Sequence, residues 1–153
     1  MIRSEQEHQK AVDHLDQDAK LLAAQEQKLQ ELGLEGDELE LAMQPLRSFH
    51  EQLREEVEVY ERMKRGDLGV LRNLNSIGRW LIGIRIAKGM SQRELADRLG
   101  VAPSQVSRDE NNEYYGISVD RAQRILEALG VHFEAQLEEP IITESEHGGL
   151  VPA

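Results

Sequence analysis

The sequence predicts an all-α protein, an N-terminal helical hairpin of coiled-coil character followed by a compact domain of five short helices. Three observations carry that expectation. Residues 4 to 32 contain no proline or glycine and repeat apolar positions in steps of three and four. From about Ser76 the chain breaks into short segments, each bounded by Gly, Ser, Pro or Asn. Aromatic residues are only 4% of the 153, and 39% hydrophobic with 31% charged residues suits helices around a modest core better than a β-sandwich.

In the first helix Val12, Leu15, Ala19, Leu22 and Leu29 share one heptad stripe, interrupted by Glu26. "GLEGD" at 33–37 then supplies two glycines and a cap, which allow the chain to reverse. The second helix is expected to start at Pro45, because proline suits a first helical turn and not a helix interior. Leu46, Phe49, Leu53, Val57, Tyr60 and Met63 make its stripe, which ends near "KRGD". Residues 1–66 therefore read as an antiparallel hairpin. Two helices alone bury little, so the stripe of Leu15, Leu22, Leu29, Leu46, Phe49, Leu53 and Tyr60 is expected to pack on a second copy, giving a homodimer, on another protein partner, or on the C-terminal domain.

Residues 67–75 read as a connector and 76–137 as the compact domain, with "SIGRWLIGIRIAKG", "SQRELADRLG", "APSQVSRDENN" and "SVDRAQRILEALG" as helical segments. The acidic tail, 138–153, is expected to be disordered.

Charge divides the chain in the same places. Residues 1–66 hold 9 Lys/Arg against 16 Asp/Glu, residues 67–137 hold 9 against 9, and residues 138–153 hold none against 4, which together give the net charge of -11. A balanced middle segment can present a local positive face, because acidic neighbours more than about 10 Å away are largely screened at ordinary salt. No cysteine is present, which removes disulfides, thiol chemistry and cysteine-ligated zinc. His8, His14, His50, His132 and His147 lack metal-ligand spacing and read as solvated. No phosphate loop, nucleotide fingerprint, nucleophile elbow or zinc-protease motif occurs, so neither enzyme activity, nor a cofactor, nor a metal is expected. Without a secretory signal or an apolar stretch long enough to span a bilayer, the expected location is cytoplasmic and away from membranes.

The most informative stretch is "SQRELADRLGVAPSQVSRDEN", residues 91–111. Ser91 and Glu94 are spaced as a capping box that fixes the start of one helix. Leu95, Ala96 and Leu99 form its inner face, the small Ala96 admits a crossing helix, and Gly100 supplies the left-handed residue that ends it. Val101 is expected to plug the space between the helices, Pro103 to open the next, and Val106 to anchor it inward. That leaves Ser104, Gln105, Ser107 and Arg108 pointing outward, with side chains able to bond base edges or phosphates. Asp109 adds a carboxylate that opposes phosphate unless an arginine pairs with it. At least one of Tyr114 and Tyr115 is expected to pack, and Trp80 reads as core.

"IGIRIAKGMSQRELADRLGVAPSQVSRDEN", continuing to "ILEALGV", resembles the DNA-binding domain of the XRE family, regulators of the phage lambda repressor and Cro type. The resemblance implies a five-helix domain that binds operators as a dimer. It implies a DNA-contacting set of Gln92, Arg93, Ser104, Gln105, Ser107 and Arg108, with Gln92 on a phosphate and the helix 103–112 in the major groove. It also implies a structural ion pair between Arg85 and Glu110. The opening "MIRSEQEHQKAVDHL" ahead of such a domain is similar, more loosely, to HigA-like antitoxins. The expected function is thus a sequence-specific transcriptional regulator, a dimeric repressor on double-stranded DNA. The alternative is an antitoxin that covers a toxin with its N-terminal helices and represses its own operon.

Overall fold

The computed structural model describes residues 1–137, so the acidic tail expected at 138–153, and His147 with it, lies outside the described residues. Two long helices, α1 (Glu5–Glu31) and α2 (Gly36–Lys64), form an antiparallel hairpin. The Ser4 hydroxyl accepts from the Glu7 N–H at 3.2 Å and starts α1. At the other end Gly33, at φ +90°, lets the Leu34 N–H reach back to the Leu29 carbonyl at 3.1 Å, and the chain reverses within a few residues.

The start of α2 corrects the sequence reading. It begins at Gly36, and Pro45 lies inside it. The proline forfeits one intrahelical hydrogen bond. Leu39 and Met43, one turn apart on the face toward α1, outweigh that loss by burying between the two helices, Met43 completely.

The four helices of the C-terminal domain are α3 (Ile77–Ala87), α4 (Gln92–Leu99), α5 (Pro103–Asn111) and α6 (Val119–Leu129), preceded by a 3-10 turn at Leu74–Ser76. Five helices were expected; four α-helices and this single turn are present among the described residues, because Gly130, at φ +66°, ends α6 and residues 131–137 take no regular form. The central element is α3, in which Leu81, Ile82, Ile84 and Ile86 are all buried, the pattern of a helix covered on nearly every side.

Hairpin and domain share one core. Ile2, Ala11, Val57 and Tyr60 join Leu81, Leu95, Val106 and Ile125 in a single apolar cluster, with Leu15 and Leu53 packed against it. Tyr60, Leu15 and Leu53, placed by the sequence on a stripe for a partner, are therefore used within the chain. Leu46 and Phe49 of the same stripe stay exposed, Phe49 at 71%. His8 is another correction. It is half-buried, stacks on Tyr60 with ring centroids 4.9 Å apart and places Nε2 3.2 Å from Glu61 Oε1.

The connector is folded as well. Leu68 packs against the core, its carbonyl accepts from Trp80 Nε1 at 3.3 Å, and the indole meets Phe133 edge to face. Gly78 sits where α3 passes the turn after α5, and a Cβ there would lie 1.8 Å from the Glu113 carbonyl oxygen. That turn holds Glu113 and Tyr114 at φ +49° and +53°, a strained conformation for side chains with a Cβ. Burial of Tyr114 and the bond from its N–H to the Asp109 carbonyl at 2.8 Å keep it in place.

Candidate nucleic-acid interface

Local chemistry fixes the two crossing helices. The Ser91 hydroxyl accepts from the Glu94 N–H at 3.2 Å while the Glu94 carboxylate accepts from the Ser91 N–H at 2.7 Å, a complete capping box. The Ser91 backbone N–H, and then its hydroxyl, hold the Glu94 carboxyl below its ordinary range. Gly100 takes the left-handed conformation at φ +68°, the Val101 N–H bonds the Ala96 carbonyl at 3.0 Å, and fully buried Ala96 sits at the crossing. Val101 does not plug the space as its position suggested: it remains 37% exposed, at the mouth of a cleft it shares with Leu99 and Val106.

Pro103 opens α5 and buried Val106 anchors it. Ser104 and Arg108 are exposed, whereas Gln105 and Ser107 are half-buried. Arg108 lies along its own helix, with Nε on the Ser104 carbonyl at 3.3 Å and Nη2 on Gln105 Oε1 at 3.1 Å. The Gln105 amide in turn donates to Asp109 Oδ1 at 3.0 Å, and Arg121 pairs with Asp109. A chain from Arg108 to Arg121 thus crosses the outer surface. Arg121 offsets the Asp109 charge, so this carboxylate opposes an approaching phosphate less than a free one would. The guanidinium of Arg108 keeps N–H groups beyond the two it uses here.

The inner end of α5 is braced from three directions. Glu110, fully buried, accepts from Arg85 Nε at 2.5 Å and Nη2 at 2.7 Å, a two-pronged pair. The Arg85 guanidinium also bonds the Met90 carbonyl at 2.8 Å and the Arg3 carbonyl at 3.0 Å. Gln92 Nε2, at the start of α4, reaches Glu110 Oε2 at 2.7 Å. Arg3 Nη1 donates to the Glu110 carbonyl at 2.9 Å. A buried charge pair is tolerable only with its remaining donors and acceptors satisfied, and these bonds satisfy them. The Gln92 amide is thereby held at the surface by a carboxylate beneath it. Arg93, its neighbour, is exposed.

Arg3 was not singled out by the sequence, where nothing local marks an arginine 107 positions from its partner. Arg121, the partner of Asp109, was equally invisible. Of the tyrosines, Tyr114 is buried and Tyr115 is 89% exposed. The Tyr114 hydroxyl has no hydrogen-bond partner among the described residues, and burial, followed by the Glu110 charge, pushes its ionisation up.

Residues 81–136, from the middle of α3 past the end of α6, match the family model described as Helix-turn-helix. The match supports an XRE-type helix-turn-helix over this segment, which is little more than a third of the chain. This family is a DNA-binding regulator fold, and in the helix-turn-helix α4 is the first helix and α5 the second. The match leaves the hairpin outside it. No curated protein and no solved structure matches the chain. Among the described residues no helix is long and apolar enough to cross a membrane, and no group of three or more His, Cys, Asp or Glu side chains is arranged to hold a metal ion.

Proposed function

We propose that the chain is a dimeric, sequence-specific transcriptional repressor that lays α5 in the major groove. Ser104, Gln105, Ser107 and Arg108 read base edges there, while Gln92 and Arg93 bond phosphates. The observation that carries this reading is the contrast between the two ends of α5. Its outward face exposes the Arg108 guanidinium and the Ser104 hydroxyl, with Gln105 half-buried beside them, while its inner end is locked by Arg85, Gln92 and Arg3 onto buried Glu110. Rigid presentation of a few polar side chains is what base readout requires. Two copies would address half-sites about 34 Å apart.

The test is a titration of a palindromic duplex taken from upstream of the protein's own gene, at about 50 mM salt, where phosphate contacts are strongest. Arg108→Ala is expected to cost about 1–3 kcal/mol on that duplex, and less on one whose contacted base pair is changed. Absence of binding to any duplex at that salt removes the reading.

A second reading draws on the hairpin. Its 16 acidic against 9 basic residues, with Leu21, Leu41 and Phe49 exposed, suit a basic protein such as a toxin, with the DNA-binding domain repressing the shared operon. Co-expression with the product of an adjacent gene encoding a small basic protein tests it. Co-purification through the hairpin supports the antitoxin reading, and separate elution removes it.

A further inference from the structure

The base of the hairpin and the start of α4 line the same cleft, about 390 Å³ in volume. Four cationic residues, Arg3, Lys64, Arg85 and Arg93, line it against one acidic residue, Glu5. Lys64 is matched by Glu5 at 2.5 Å and Arg85 by Glu110, which leaves Arg3 and Arg93 as its uncompensated charge. The Glu7 carboxylate is near Arg3 but accepts from the Arg3 backbone N–H, at 2.8 Å, at the start of α1. Arg3 is held in place. Ile2 beside it is buried, the Arg3 carbonyl accepts from Arg85 at 3.0 Å, and its guanidinium spends one N–H on the Glu110 carbonyl at 2.9 Å. The other four guanidinium N–H groups make no hydrogen bond among the described residues. Gln92 is tied to the carboxylate of the same glutamate at 2.7 Å, so both donors take their position from one buried residue, one from its side chain and one from its backbone.

We propose that Arg3, carried by the hairpin, is a ligand of the DNA backbone, gripping with Gln92 and Arg93 the phosphate at the start of α4. This rests on the reading that the domain binds DNA and adds a contact from outside the helix-turn-helix. The planar fork of a guanidinium matches two phosphate oxygens, and an arginine fixed in advance loses little side-chain freedom on binding. Since Ile2 joins the shared core, the contact also sets the angle at which the hairpin leaves the duplex.

The experiment titrates a mixed-sequence 20-base-pair duplex with the full chain, as wild type, Arg3→Gln and Arg3→Lys, over about 50 to 200 mM salt. Loss of one phosphate contact lowers the slope of log affinity against log salt by about 0.9. The advantage of wild type over Arg3→Gln then shrinks about 3.5-fold across that range, while Arg3→Lys keeps the wild-type slope. An unchanged slope in Arg3→Gln, even with weaker binding, assigns Arg3 a purely structural role and overturns the proposal. Should Arg3→Gln fail to fold, modification of the wild type with phenylglyoxal decides: protection of Arg3 by the duplex supports the contact, and equal labelling with and without duplex overturns it. Failure of the wild type to bind any duplex at about 50 mM salt removes the regulator reading itself, a result distinct from an unchanged slope.

Discussion

The base and the tip of the hairpin are cut from the same two helices, with the same apolar period, and meet different fates. At the base, Ala11, Val57 and Tyr60 vanish into a core shared with α3 and the other domain helices. From the middle of the hairpin to its tip, Leu39 and Met43 are buried, but Leu21, Leu41 and Phe49 are each more than 60% exposed. The difference is geometric. Two antiparallel helices can cover only the narrow stripe that faces the partner helix; a wider apolar face needs a third element, and only the base has one. Periodicity thus marks which side chains need cover without saying what covers them.

If the base is fastened through buried charge, cutting that fastening should give the largest effect in the molecule. Glu110→Ala leaves the Arg85 guanidinium buried without its carboxylate and frees Gln92, while the bond from Arg3 to the backbone carbonyl at this position can persist. A loss of about 3–5 kcal/mol is expected in denaturant unfolding. A loss below about 1 kcal/mol would show that the apolar cluster alone holds base and domain together.

The tip should yield more locally. Met43→Ala removes a fully buried side chain outside the shared cluster, at an expected cost of about 2–3 kcal/mol. Amide exchange should accelerate around the α1–α2 turn while α3 to α6 stay protected. Equal acceleration throughout would mean that the hairpin and the domain open as one unit, and the contrast between tip and base would fail.

Features set by neighbours in sequence were legible before the fold was known. The Ser91 and Glu94 box and the Gly100 cap depend on residues a few positions apart, and their local chemistry admits few alternatives. Pro45 misled for the opposite reason: its local preference for a helix start was overruled by burial of Leu39 and Met43 against α1, which only the tertiary arrangement reveals. The candidate site divides in the same way. The exposure of Ser104 and Arg108 follows from helical spacing around Val106. The half-burial of Gln105 and Ser107, the pairing of Asp109 with Arg121, and Arg3 reaching the end of α5 depend on contacts that no sequence window contains.

Tyr114, at the edge of the braced region, offers a smaller test on the domain side. Its hydroxyl is buried without a partner, so Tyr114→Phe should stabilise the protein by about 1 kcal/mol in thermal or denaturant unfolding. The sign of its pH dependence follows from the raised ionisation. Below about pH 10 both folded and unfolded chains carry a neutral phenol; above it the unfolded chain ionises first, so stability falls as pH rises. Tyr114→Phe should remove that part of the alkaline loss. Destabilisation by this substitution would mean that the hydroxyl has a partner, such as a buried water.

The smallest expected change in stability bears most directly on what covers the tip. In an isolated monomer Phe49→Ser alters a largely exposed side chain and should move stability by no more than about 0.5 kcal/mol. If two tips meet in the proposed homodimer, the same substitution should leave monomer stability alone and shift sedimentation toward the monomer, because a buried aromatic anchor carries a large share of interface energy. Affinity for a two-half-site duplex should fall with it, while affinity for a single half-site stays unchanged, since Phe49 lies at the middle of α2, about 22 Å along the helix from its end at Lys64 and outside the helix-turn-helix. A dimer that persists in Phe49→Ser would place the seam elsewhere on the chain and leave the apolar tip to a different protein.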